Sequence, residues 1–152
     1  MLRAQDGSTT RLCEAVAGGP VHLEVVHQQA TRDVPAEVRA QLTGDDFIER
    51  ITFLAARGEV LMDNLAYVAL DGLAPDIERD LRAGKLPIGH LLARMWVRRE
   101  PLPLADTLTA RLWDAVGEPD ASATRSYRIV TPEGPRMLIT ETWRRGMRME
   151  PR

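Results

Sequence analysis

A chain of 152 residues can build one domain with a real core, and its 44% hydrophobic and 28% charged residues place it among ordinary globular proteins. A formal net charge of −2 removes any global electrostatic case for nucleic acid or an anionic membrane as partner. Cys13 is the only cysteine and cannot form an internal disulfide, no apolar run approaches the roughly 18 residues of a membrane span, and the opening "MLRAQDGSTT" has no apolar signal core; together these predict a cytoplasmic protein.

In chain order, "DGSTTRLCEAVAGG" predicts a short helix, capped by Ser8 or Thr9 and stopped by Gly18 and Gly19, with Leu12 and Val16 on one face. "PVHLEVVHQQ" alternates as a strand, and "VPAEVRAQL" starts a brief helix at Pro35. "DFIERITFLAA" and "VLMDNLAYVAL" flank Arg57-Gly58-Glu59, a hairpin signature. "APDIERDLRAG" is a helix with early acids and Gly84 at its end, and "LPIGHLLARMW" is a second short one. Pro101 and Pro103 interrupt the next stretch, and "LADTLTARLW" reads as a strand or a short helix, with strand preferred. "EPDASA" is a loop, and "RSYRIVTPEGPRMLITETW" is a closing hairpin. Residues 144–152 read as a basic, frayed tail on a single domain spanning 1–152. Short loops between neighbouring strands make an antiparallel sheet, so the expected class is α+β with helices on one face.

Several chemistries lack their motifs. There is no glycine-rich phosphate loop. His22 and His27 are five residues apart, on opposite faces of a regular strand, and His90 is isolated, so no metal site is expected. Ser8 and Ser126 lie in no nucleophile motif. Cys13 reads as a buried, inert thiol, and Trp96, Trp113 and Trp143 as packing residues. What remains is Glu141, which shares a strand face with Met137, Ile139 and Trp143, together with many arginines. A desolvated carboxyl suits a proton donor or the partner of a substrate hydroxyl, and arginine suits a substrate carboxylate. The competing reading is that Glu141 only bonds an internal arginine such as Arg128 or Arg50.

Four segments in order also resemble the chorismate pyruvate-lyase family, in its compact actinobacterial-type branch. They are residues 6–29, "ERITFLAARGEVLMDNLAYVAL", "LPIGHLL" and the closing hairpin with its Thr140-Glu141 pair. The helix that precedes these in longer members is expected to be missing or clipped. The resemblance implies an antiparallel sheet with helices over one side and a small molecule enclosed between them. It implies loss of pyruvate from chorismate to give 4-hydroxybenzoate, without a cofactor. Glu141 then meets the ring hydroxyl and Arg50 a carboxylate, as catalytic residues, with Ile88 and Gly89 binding substrate; Arg128 or Arg125, from another strand, is expected to bind substrate in place of an arginine that the family has where this chain has Leu65. One departure is that Leu65 stands at the position of the family's second arginine. It leaves two alternatives: the same scaffold acting as a lyase, cyclase or dehydratase on another small intermediate, or a non-catalytic binding module. The fold is shared with ligand-sensing domains of some regulators, and the chain shows no helix-turn-helix segment, which weighs against a regulator.

Overall fold

The computed structural model describes residues 9–148. Six strands form one sheet: β1 (His22–Thr31), β2 (Phe47–Ala56), β3 (Glu59–Ala69), β4 (Arg98–Leu102), β5 (Thr124–Thr131) and β6 (Gly134–Trp143). Their order across the sheet is β1-β2-β3-β6-β5-β4, with every neighbouring pair antiparallel. The β2–β3 turn places Arg57 and Gly58 at φ 56° and 76°, the paired left-handed residues of a tight hairpin whose twist suits its strands. β3 lies mid-sheet and is buried continuously from Leu61 to Ala69.

Register sorts the side chains into two faces. Arg50, Ala66, Ile139 and Tyr127 lie abreast on one face, and Thr52, Asn64, Glu141 and Arg125 form the next row of that face. Glu49, Tyr67, Leu138 and Arg128 lie abreast on the other. The first face is covered by α1 (Thr9–Ala17), α3 (Pro75–Ala83) and α4 (Ile88–Leu92), whose Cys13, Ile77, Leu81, Leu91 and Leu92 pack on it. In α3 the early acids Asp76 and Glu78 face the positive end of the helix, and Gly84 closes it at φ 68°.

The α+β class and antiparallel sheet are those expected, but helices cover both faces. On the second, α2 (Ala36–Gln41) and α5 (Asp106–Val116) bury Val38, Leu108 and Leu112 against Phe47, Ile51, Leu65 and Tyr67. Here α5 replaces the strand preferred for "LADTLTARLW": Leu108 and Leu112 are four apart, Asp106 opens the first turn, and Gly117 ends the helix in the left-handed region. The strand lies just before it, as β4, an edge strand that tolerates Pro101. Trp143 is buried and Trp113 donates to Thr142 (3.1 Å), but Trp96 is 88% exposed, contrary to a packing role. Arg144 and Met147, in the segment read as a frayed tail, are buried, and Arg145–Arg148 forms a 3-10 turn; 149–152 lie outside the described residues, as does the cap candidate Ser8.

Candidate functional site

Glu141 is fully buried. Arg125 of β5 donates from Nε to Oε1 (2.7 Å), while the Tyr127 hydroxyl (3.2 Å) and Asn64 Nδ2 (3.4 Å) donate to Oε2. Arg125 also lies over the Tyr127 ring, its guanidinium carbon 4.8 Å from the ring centre. Burial pushes the Glu141 carboxyl above the ordinary carboxylate range, against the pull of Arg125, Tyr127 and Asn64. Burial and the neighbouring Glu141 together push the Tyr127 phenol upward, so it remains a hydrogen-bond donor. Nearby, burial raises the Cys13 thiol to about 12, consistent with an inert cysteine.

Arg50 shares this face but not this network. It is only 2% exposed. Its Nη2 donates to the Leu86 carbonyl (2.6 Å), whereas Nε and Nη1 are buried without a partner. Among the described residues no carboxylate pairs with it. Burial alone lowers its pKa to about 10, so it stays charged at neutral pH. A buried cation with two idle donors is costly unless an anion arrives. Leu86 immediately precedes Pro87 and α4, where the buried Ile88 and Gly89 begin the helix. Between Arg50 and Ile139 stands Ala66, whose single methyl leaves the row low.

The structure therefore brings together Arg50 and Glu141 on one face, with Ile88 and Gly89 in the helix above it. It does not bring Arg128 there. Arg128 lies on the opposite face, paired with Glu100 (2.6 Å) and bonded to Gln41 of α2. Leu65 likewise faces the α5 side, packed with Ile51 and Leu112, so the β3 positions facing the candidate site are Asn64 and Ala66. The partner of Glu141 is Arg125, neither Arg128 nor Arg50. Strand parity, counting two residues back from Tyr127, is the signal that points to it.

The opposite face has a buried polar network of its own. Glu49 accepts from Tyr67 (2.8 Å), His27 (2.9 Å) and Arg111. Burial pushes its carboxyl upward, but these three donors outweigh burial and hold it low. Cavities of about 450, 300 and 230 Å³ open elsewhere on the surface, and none of these three is lined by Arg50 or Glu141. No group of His, Cys, Asp and Glu that could hold a metal ion occurs among the described residues, and no helix there is long and apolar enough to cross a membrane.

A family model described as "Chorismate pyruvate-lyase Rv2949c-like" matches residues 4–149. No curated protein matches the chain. Among solved structures, the C-terminal domain of the histidine utilization repressor from Pseudomonas syringae superposes with a TM-score of 0.55, at 11% identity, covering 87% of this chain and 97% of that one. The gene product SA0254 from Staphylococcus aureus gives a TM-score of 0.49 at 13% identity, over 82% and 83%. The first of these shows a shared fold.

Proposed function

Because the chain belongs to the Rv2949c-like chorismate pyruvate-lyase family, we propose that it is a cofactor-independent carbon–oxygen lyase that releases pyruvate from chorismate and leaves 4-hydroxybenzoate. The observation that carries this reading is a buried Arg50 with two idle donors on the same face as a buried Glu141 whose carboxyl burial pushes above the ordinary range. A small anion bearing a hydroxyl complements both.

The reaction balances within the substrate. The bond from ring carbon C3 to the enolpyruvyl oxygen breaks, and its electron pair leaves on that oxygen. C4 loses its proton and the ring becomes aromatic, which supplies the driving force. The enol gains a proton at its methylene and becomes pyruvate. The protein's part is to hold the anion, exclude water and orient the hydroxyl. Arg50 holds a carboxylate, Glu141 bonds the C4 hydroxyl, and Ile88 and Gly89 close the site from α4. Arg128 has no part in it.

A second reading is a ligand sensor on the same scaffold. It is favoured by one observation: Glu141 already accepts three hydrogen bonds, an arrangement that holds a ligand as well as it transfers a proton. Incubating the pure protein with chorismate and following both products decides between them. Equal, enzyme-dependent appearance of 4-hydroxybenzoate and pyruvate is expected. Absence of both refutes the lyase; if chorismate then still raises the melting temperature, the sensor stands.

A further inference from the structure

We propose that Arg99 of β4 forms a second anion subsite facing Arg50, so that the site selects small dicarboxylates over monocarboxylates. The proposal rests on the reading of this face as the ligand site.

Arg99 pairs with Ile129, whose row continues through Met137 and Val68 to Ile48, so it lies on the Arg50 face at the far side of the sheet. It is half-buried, and its Nε is buried without a hydrogen-bond partner. The adjacent acid is committed elsewhere: Glu100 points to the other face and binds both Arg98 (2.7 Å) and Arg128 (2.6 Å). Arg99 has no acidic partner among the described residues. Its charge nevertheless reaches inward, since it pulls the buried Tyr127 phenol down against the stronger effects of burial and Glu141.

Charge balance points the same way. Among the paired strand positions of this face stand three arginines, Arg50, Arg99 and Arg125, and two acids, Glu141 and, at the β2–β3 turn opposite Ala56, Glu59. Arg125 and Glu141 form an ion pair (2.7 Å). On the covering side, Arg94 pairs with Asp76 and Asp80 and Arg82 with Glu78, while His90 is hydrogen-bonded to Glu14. Two cations are left over, on β2 and β4, flanking the Glu141–Tyr127 pair. Four strand spacings of about 4.8 Å set their Cα atoms roughly 19 Å apart. Two arginine side chains shorten that span to one small ring compound with a carboxylate on each side. Arg99 thereby supplies the charge that Leu65, buried on the opposite face, cannot.

The test compares two probes that share a ring, its carboxylate and its hydroxyl: 3-methoxy-4-hydroxybenzoate and 3-(carboxymethoxy)-4-hydroxybenzoate. Calorimetric affinities are measured for the wild type, Arg99→Gln, Arg99→Lys and Arg50→Gln, with circular dichroism confirming each fold. The wild type should prefer the dicarboxylate. Arg99→Gln should weaken the dicarboxylate about 10- to 100-fold, the worth of one charged hydrogen bond, and change the monocarboxylate less than about threefold. Arg99→Lys should restore most of the preference, and Arg50→Gln should weaken both probes. Arg99→Gln that leaves the preference intact, or weakens both probes equally, overturns the subsite while the ligand site stands. A wild type that binds neither probe sinks the site assignment and the subsite together.

Discussion

Replacing Arg50 with methionine should stabilise the ligand-free protein while removing its ability to respond to an anion. Methionine keeps an unbranched stem as far as the Nε position, drops the charged end and fills irregular apolar space. Arg50 is 2% exposed, and its pKa is drawn down to about 10 by burial with no carboxylate to offset it. At about 1.36 kcal/mol per pH unit this is a penalty of about 3 kcal/mol on the charged form. The hydrogen bond to Leu86 returns about 1–2 kcal/mol of it, so Arg50→Met should gain on the order of 1–2 kcal/mol. Folding lowers this pKa, so the unfolded chain holds the proton more tightly. The penalty is therefore full and constant below about pH 10. The gain should accordingly be the same at pH 6 and pH 8. Urea unfolding measures it. Ligand at 100 times its dissociation constant should add about 2.7 kcal/mol to the wild type and nothing to the variant. A variant that loses more than about 1 kcal/mol without ligand would show that Arg50 is a satisfied strut, and the argument for a poised anion site would fail.

Glu141→Gln should cut turnover of chorismate at least 100-fold with the fold intact, because the isostere keeps the shape and loses the acid; unchanged turnover would remove Glu141 from the mechanism. Asp63 is buried beside Arg144 (2.5 Å), and burial nonetheless raises its pKa to about 6. Folding raises this pKa, so stability should fall as pH rises from about 4 to 6, by at most about 3 kcal/mol. Asp63→Asn should flatten that part of the urea-derived stability profile, and an unchanged slope would contradict the assignment. A Cβ at Gly146 would lie 2.6 Å from the Val60 carbonyl oxygen, so Gly146→Ala should cost about 1–3 kcal/mol. A neutral result in thermal melts would mean that the segment after β6 is not packed as described.

The two hairpins are legible in the sequence because alternation and turn residues agree: Arg57-Gly58 sits where both residues need positive φ, and Glu141 falls among Met137, Ile139 and Trp143. The face of Arg50 is not legible there. It depends on the β2–β3 and β3–β6 registers, which are long-range pairings. The same registers choose Arg125 as the partner of Glu141, where the sequence offers Arg128 and Arg50 equally. In "LADTLTARLW" two threonines weigh towards strand, and only the packing of Leu108 and Leu112 against the sheet decides for helix. Arg99 is hidden in the sequence because "VRREP" looks like surface charge. Its role depends on Glu100 turning to the other face.

The distinction between catalyst and sensor comes down to which contact of Glu141 a ligand hydroxyl displaces. Arg125 holds Oε1 at 2.7 Å with a charged hydrogen bond and is the hardest to dislodge. Tyr127 is anchored by its burial and by the Arg125 stacked on its ring. Asn64 is the weakest donor, 3.4 Å from Oε2, at the outer limit of a hydrogen bond. It also sits on β3, next along the face from the small Ala66 that separates Arg50 from Ile139. A hydroxyl entering over Ala66 therefore meets Oε2 on the Asn64 side. There it can donate to an ionised Glu141 or accept from a protonated one, while Arg125 keeps the carboxyl in place. Asn64→Ala should accordingly leave ligand binding within a few-fold of wild type, whereas Arg125→Gln should weaken it strongly by releasing the carboxyl. Calorimetry with 4-hydroxybenzoate reads both variants. The reverse ranking would place the hydroxyl on the Arg125 side and make Asn64 its true partner.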